Sequence, residues 1–381
     1  MGKKAGLLFI LFVLYAGIRL VPFFFVFDSP ARFFLPGSSA YNEIGANLAQ
    51  HSSYVRGQPG KVPAVPPGYP FFLSLIYRAF GVKPAIALFF QIALSGLIPV
   101  FLYLDAEILF SKRIARIASV LSVFEPLSLV YDSTLLPWTL GALLLLMCTY
   151  FLIVSMKRKD STAFFIAAIT AGAAAYLLSS MLYCPLVSAV AYLAASRLRP
   201  WNRLTYTVGT IVIAGLTLVP WAVRNYAVSG YKGFSQAPVV TLRGTTGLLS
   251  SPLHRDLSRL VGVRPGPARP VLQGRSVQNG GRRPLAGPSV IRDVILYHDV
   301  FTVFIVTLAV IGIIVVAGEG FLRELAVLLL FMLYIVTVSE GPAAGTGHRL
   351  MALPYLLILT AAGISALFTS VASKHYKKRI R

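Results

Sequence analysis

Runs of about twenty apolar residues recur along this chain, and each is long enough for a helix to cross the roughly 30 Å of hydrocarbon in a bilayer. We read ten such spans, at 5–27, 84–104, 114–131, 135–155, 161–179, 181–196, 206–226, 300–317, 322–339 and 351–371. Inside hydrocarbon a backbone has to satisfy its own hydrogen bonds, which a helix does and an open strand does not. An all-α polytopic membrane protein is therefore expected, one domain over 1–381 with no separate soluble unit. The 56% hydrophobic content, well above that of soluble domains, agrees.

A net charge of +22 on a soluble protein would point to nucleic acid. Here the basic residues fall in short clusters between apolar runs: Lys3-Lys4, Lys112-Arg113-Arg116, Lys157-Arg158-Lys159, Arg197-Arg199-Arg203 and the tail from Lys374 to Arg381. No nucleic-acid partner is expected from that pattern. Alternating spans put every cluster on one side, which the positive-inside rule makes cytoplasmic. Both termini then lie in the cytoplasm, in a bacterial inner (cytoplasmic) membrane, and the polar segments 28–83 and 227–299 share the opposite face. The first run opens on lysines as a signal peptide does, but it contains Arg19 and reaches Phe23-Phe24-Phe25 without a small-residue cleavage site. An uncleaved helix is expected, with Arg19 snorkelling or pairing with Asp28.

In the first polar segment, Pro66-Pro67-Gly68-Tyr69-Pro70 leads into Phe71-Phe72-Leu73-Ser74-Leu75-Ile76-Tyr77. Proline suits a first helical turn and aromatic residues suit the headgroup level, so this reads as a helix lying in the interface. The second segment contains a different stretch, 254–290, dominated by Arg, Gly and Pro with Asp256 its only acid. Such a composition buries too little apolar surface to offset ordering entropy. Three readings stay open for it: a disordered basic loop, a loop touching anionic lipid or a phosphate-bearing substrate, and an out-of-frame stretch.

Cys148 and Cys184 fall inside apolar runs, where a thiol behaves as a small hydrophobe, and no disulfide framework or zinc spacing is present. Walker loops, Gly-x-Ser-x-Gly elbows, His-Glu-x-x-His and Cys-x-x-Cys are also missing. Any chemistry falls to ionisable residues near the outer face, which are costly in a membrane and so point to function.

Three ordered motifs carry a resemblance. The run Gly37-Ser38-Ser39-Ala40-Tyr41-Asn42-Glu43-Ile44-Gly45-Ala46-Asn47-Leu48-Ala49, followed by Pro66 to Pro70 and Phe80-Gly81, resembles the first outer loop of family 39 glycosyltransferases. These are GT-C enzymes akin to dolichyl-phosphate-mannose protein mannosyltransferases and the bacterial aminoarabinose transferases. Pro220-Trp221-Ala222-Val223-Arg224-Asn225-Tyr226 resembles their Pro-Trp-x-x-Arg-Asn-Tyr, and His348-Arg349-Leu350-Met351-Ala352-Leu353-Pro354 their closing Arg-Tyr-x-x-Pro. The resemblance covers most of the chain outside 250–295. It implies a GT-C-like bundle of about ten transmembrane helices whose outer loops carry short interfacial helices. It also implies transfer of a sugar from a polyprenyl-phosphate donor to an acceptor on the extracytoplasmic face. That reaction requires a carboxylate to take the acceptor's proton, and cationic groups or a divalent metal ion on the leaving phosphate.

The family's first acid falls where this chain has Gly37, Ser38 and Ser39, and its second, a glutamate opening the fourth span, corresponds to Trp138. Glu43 and Asp132 are the candidate bases in their place; the plainer readings are a solvated helix-face carboxylate and a helix-end residue. Arg224 with Asn225, and Arg349 with His348, are candidate phosphate contacts, the alternative being interface anchoring. Tyr41 and Tyr69 are candidate sugar or loop-packing contacts. Glu125, beside Pro126, is expected to pair with a basic neighbour inside the bundle. Two other functions stay open: a catalytically degenerate GT-C protein that binds lipid-linked sugar or a partner, and a membrane transporter. A transporter favours inverted repeats, and no convincing repeat is present.

Overall fold

The apolar runs become helices packed side by side in a computed structural model that describes residues 2–26, 37–54, 65–196, 198–234, 288–337 and 350–368. Helix is the only regular structure among them. In chain order the helices are α1 (Gly2–Val26), α2 (Ser38–His51), α3 (Gly68–Phe80), α4 (Pro84–Ser95), α5 (Leu97–Leu109), α6 (Lys112–Val123), α7 (Pro126–Asp132), α8 (Trp138–Arg158), α9 (Ser161–Leu177), α10 (Cys184–Ala195), α11 (Pro200–Ser229), α12 (Pro288–Gly318), α13 (Leu322–Thr337) and α14 (Leu350–Phe368). A short 3-10 turn, Ser179–Tyr183, joins α9 to α10.

Among the described residues six stretches are long and apolar enough to cross a bilayer alone: Gly2–Val21, Pro84–Leu109, Trp138–Arg158, Pro200–Ser229, Phe301–Gly318 and Leu350–Phe368. Ser161–Leu177 and Ser179–Ala195 are apolar but shorter. The span expected over 114–131 is not one helix. Pro126 has no N–H to continue the ladder, Glu125 adopts an extended backbone, and the segment divides into α6 and α7. The basic stretch expected to lack structure lies outside the described residues over 254–287, whereas 288–290 open α12.

Ion pairs show which helix ends lie together. Lys4 of α1 pairs with Glu107 of α5. Lys157 of α8 donates to the Ile108 carbonyl at 2.9 Å and lies 3.1 Å from Glu324 of α13. These contacts bring α1, α5, α8 and α13 together at one basic end of the bundle. At the opposite end α2 packs against α3, so closely that a Cβ at Gly45 would meet the Leu73 Cβ at 2.8 Å. The Tyr77 hydroxyl donates to Asn42 Oδ1 (2.6 Å), and Arg78 donates to the Leu48 carbonyl (2.9 Å), closing this helical hairpin. The expected interfacial helix is α3, with Tyr69, Leu73, Ile76 and Tyr77 buried and Phe71, Leu75 and Phe80 exposed.

The hairpin is held down by aromatic packing. Tyr54, just beyond α2, meets Trp221 of α11 edge-on at 4.9 Å, and Ile44, Leu48, Ala175 and Phe234 complete a cluster around them. The described parts of both long polar segments therefore meet at this loop end.

Candidate functional site

The break at Pro126 leaves backbone groups without helical partners, and their replacements organise the loop end. Proline cannot donate to the Ser122 carbonyl four residues back, and the Leu127 N–H is diverted to the Glu125 carboxylate (2.6 Å), which frees the Val123 carbonyl as well. Glu125 also accepts from the Ser128 N–H at 2.7 Å. It thus caps α7 as an N-terminal acid does, rather than forming the expected pair with a basic residue.

Arg19 takes up both freed carbonyls. It donates to Val123 O at 3.1 Å and Ser122 O at 3.2 Å, and further to Tyr15 O at 3.3 Å, the Ser128 hydroxyl and Asp132 Oδ2, the last at 2.7 Å. A guanidinium has five N–H donors, and these contacts occupy all five. Its carbon lies 3.2 Å from the centre of the Tyr15 ring, adding a cation–π contact. Arg19 is fully buried and so is Asp132, which explains how a charge persists at this depth: it is paired and every donor is satisfied. The expected partner Asp28 lies outside the described residues, and snorkelling does not occur, since the side chain turns inward to Asp132.

Asp132 is correspondingly occupied. Its second oxygen accepts from the Thr139 hydroxyl at 2.6 Å, so α1, α7 and α8 converge on one carboxylate. Gln91 of α4 ties the adjacent turn, donating to the carbonyls of Asp132 (3.1 Å) and Thr134 (3.0 Å). Its oxygen accepts from the Tyr69 hydroxyl at 2.7 Å. Tyr69 is fully buried, and burial holds its phenol well above the ordinary value, so it stays neutral as a donor. Tyr41 meets it edge-on at 5.4 Å and is also buried. In this state both rings pack the loop onto the bundle.

Arg224 contrasts with Arg19. It lies near the end of α11, half-buried, with its guanidinium 4.9 Å from the Trp221 ring and 5.3 Å from the Tyr54 ring. Its one side-chain hydrogen bond among the described residues goes to Asn225 Oδ1 at 3.3 Å. Asn225 is buried, and its amide holds the returning chain by donating to Gly233 O (3.1 Å) and Phe234 O (2.9 Å). That is a scaffolding position, in contrast to the ligand contact expected from the motif.

Glu43 is exposed on α2. Ser38 opens that helix and is buried, and a Cβ on the preceding Gly37 would lie 3.8 Å from Leu136, two residues before Trp138. Ser38 and Trp138, the positions expected to match the family's acids, thus belong to neighbouring segments. His348 and Arg349 lie outside the described residues. They directly precede Leu350, which lines a cavity of about 20 Å³ with Leu353, Pro354, Glu125, Ser128 and Tyr15. Among the described residues no three His, Cys, Asp or Glu side chains gather to hold a metal ion. The described residues by themselves do not make a divalent-ion site.

Sequence reasoning missed Gln91, Thr139, Tyr54 and the Arg19–Asp132 pairing. A glutamine inside an apolar run was the available signal for Gln91. The pairing joins residues 113 apart in sequence, which no local pattern reports.

Residues 64–223 match the family described as dolichyl-phosphate-mannose-protein mannosyltransferase. No curated protein matches the chain. Among solved structures, ArnT from Cupriavidus metallidurans in the apo state is similar with a TM-score of 0.58 at 15% identity, over 96% of this chain and 60% of ArnT. ArnT bound to undecaprenyl phosphate gives 0.58 at 16% identity, over 93% and 60%. The Archaeoglobus fulgidus oligosaccharyltransferase in complex with Zn and sulfate gives 0.62 at 15% identity, over 96% and 49%. The chain spans 60% of the length of ArnT and 49% of that oligosaccharyltransferase. At such identities the likeness is one of fold: this is a multi-pass, all-helical membrane protein with the GT-C fold.

Proposed function

We propose that this protein transfers a sugar from a polyprenyl-phosphate donor to an acceptor at the loop end of the bundle, on the extracytoplasmic face. The observation that carries the reading is the family match over 64–223, which runs from the approach to α3 to the Pro220-Trp221 motif, within a fold shared with ArnT bound to undecaprenyl phosphate. In this reading the basic end faces the cytoplasm with both termini, as the positive-inside rule requires, and a bacterial inner membrane is the setting.

Arg224 is the proposed phosphate contact. A half-buried guanidinium fixed against two rings, with donors left over by its partners among the described residues, suits bidentate binding of a phosphate. Arg349, with His348, supplies a second cationic contact ahead of α14. Glu43, exposed on α2 within the run resembling the family's first outer loop, is the proposed base; Asp132, fully buried, acts instead as a positioning residue for α7 and α8. Proton transfer by a placed carboxylate contributes roughly 10²–10⁴-fold to such a reaction. Tyr41 and Tyr69 shape the loop that presents Glu43, and Asn225 holds the segment beside Arg224.

The test is transfer from a radiolabelled polyprenyl-phosphate sugar by the purified protein in proteoliposomes. Wild type is expected to turn over and Glu43→Gln to be strongly impaired. Unchanged transfer in Glu43→Gln would remove it from the mechanism. A second reading, a degenerate GT-C protein that binds lipid-linked sugar, is favoured by Ser38 and Trp138 at the two acid positions. It requires wild type to bind the lipid without transfer, and transfer to appear in Ser38→Asp combined with Trp138→Glu.

A further inference from the structure

Four carboxyl groups are buried between the helices described, and their surroundings differ in kind. Glu324 of α13 lies 3.1 Å from Lys157. Asp132 has Arg19 and the Thr139 hydroxyl. Glu125 has two backbone N–H groups at the start of α7. Asp105 of α5 is fully buried, and neither of its oxygens has a hydrogen-bond partner.

Every group placed to help Asp105 is committed elsewhere. On α1, Lys4 pairs with Glu107 and lies over the Tyr103 ring. On α8, Lys157 serves Glu324 and the Ile108 carbonyl. Lys112, Arg113 and Arg116 of α6 are exposed. Facing Asp105 are the Cys148 thiol of α8 and the Tyr355 phenol of α14. The Cys148 thiol approaches the Ala167 carbonyl and the Ser188 hydroxyl. The Tyr355 hydroxyl meets Thr149 Oγ1 at 2.7 Å, and Thr149 itself donates to Leu145 O at 2.7 Å. The single phenol proton therefore goes to Thr149, and none is left for the carboxyl. An ionised carboxylate here would have neither counter-charge nor donor, the most costly arrangement for a buried group. A neutral acid at the same place avoids that penalty.

We propose that Asp105 is a proton-binding site inside the bundle, held as the neutral carboxylic acid, the form a lipophilic carbodiimide traps when breathing of the helices admits it. In that reaction the acid proton passes to one carbodiimide nitrogen and the carboxyl oxygen bonds to the central carbon, giving an O-acylisourea. An acyl shift from oxygen to nitrogen then yields a stable N-acylurea, with the whole reagent retained. Asp132 and Glu125 differ in having donors on both oxygens, which Asp105 lacks.

Full-length protein in detergent micelles is treated with dicyclohexylcarbodiimide at neutral pH and mapped by mass spectrometry, while infrared spectra record the protonated-carboxyl C=O stretch. The expected result is an adduct of one reagent mass on the peptide carrying Asp105, retained in Glu125→Gln, and a carboxyl band lost in Asp105→Asn. Adducts on Glu125 or Asp132 with none on Asp105 overturn the proposal, as does a band that Asp105→Asn leaves unchanged. The adduct map is read on the unmutated protein, so it stands even if Asp105→Asn fails to fold.

Discussion

Two arginines near the loop end show how one residue type serves opposite purposes. Arg19 is buried among five acceptors supplied by α1, α6 and α7, Asp132 of α7 among them. Arg224 is half-buried against two rings, with one side-chain bond among the described residues, to its neighbour Asn225. A guanidinium whose donors are all occupied fixes backbone. One with donors remaining is equipped to bind a ligand. Sequence motif does not draw that line; burial and the count of occupied donors do.

The comparison can be broken most directly at Arg19. Arg19→Ala leaves Asp132 buried without its counter-charge and two carbonyls unsatisfied, so a loss of about 3–5 kcal/mol in stability is expected. Arg19→Lys recovers only part of it, because an ammonium offers three donors and no planar fork. Reversible unfolding in mixed micelles measures both. An Arg19→Ala protein as stable as wild type would show that the five contacts hold nothing together.

Arg224→Ala is expected to do the reverse. Losing a charge-assisted phosphate contact of about 1.5–3 kcal/mol lowers transfer or lipid affinity roughly 10- to 100-fold, while stability changes little. Transfer kinetics and the same unfolding assay, run side by side, check the split. If stability collapses instead, Arg224 belongs with Arg19 as a structural residue.

Smaller effects sharpen the boundary between them. Tyr69→Phe removes the donor to Gln91 and is expected to lose about 0.5–1.5 kcal/mol. Asn225→Ala frees the 233–234 carbonyls and is expected to lose a similar amount, with a modest fall in transfer through the displaced Arg224. Thermal denaturation of each variant and of the pair tests whether the two ends of the loop assembly are independent, in which case the losses add.

The helical class was legible because hydrocarbon admits few backbones, and apolar length by itself announces a crossing segment. Pro66 to Tyr77 likewise announced α3, since proline tolerance and aromatic content are local properties. The run 114–131 misled for a related reason: hydropathy averages over a window, and one Pro126 beside Glu125 barely lowers it while stopping the ladder. Within the site, the motif around Arg224 was readable as an interface cation. The occupation of Asp132 was not, because a carboxylate's availability depends on which distant donor reaches it.

By itself, then, the sequence determined a many-helix membrane protein with basic clusters and polar loops at opposite ends, because those properties follow from composition over twenty-residue stretches. Only the tertiary structure decided that Arg19 closes on Asp132 and that, among the described residues, Arg224 keeps donors and Asp105 is left without one. Hydrogen bonds form over about 3 Å between groups that folding brings together, and separation along the chain carries no trace of which groups those are.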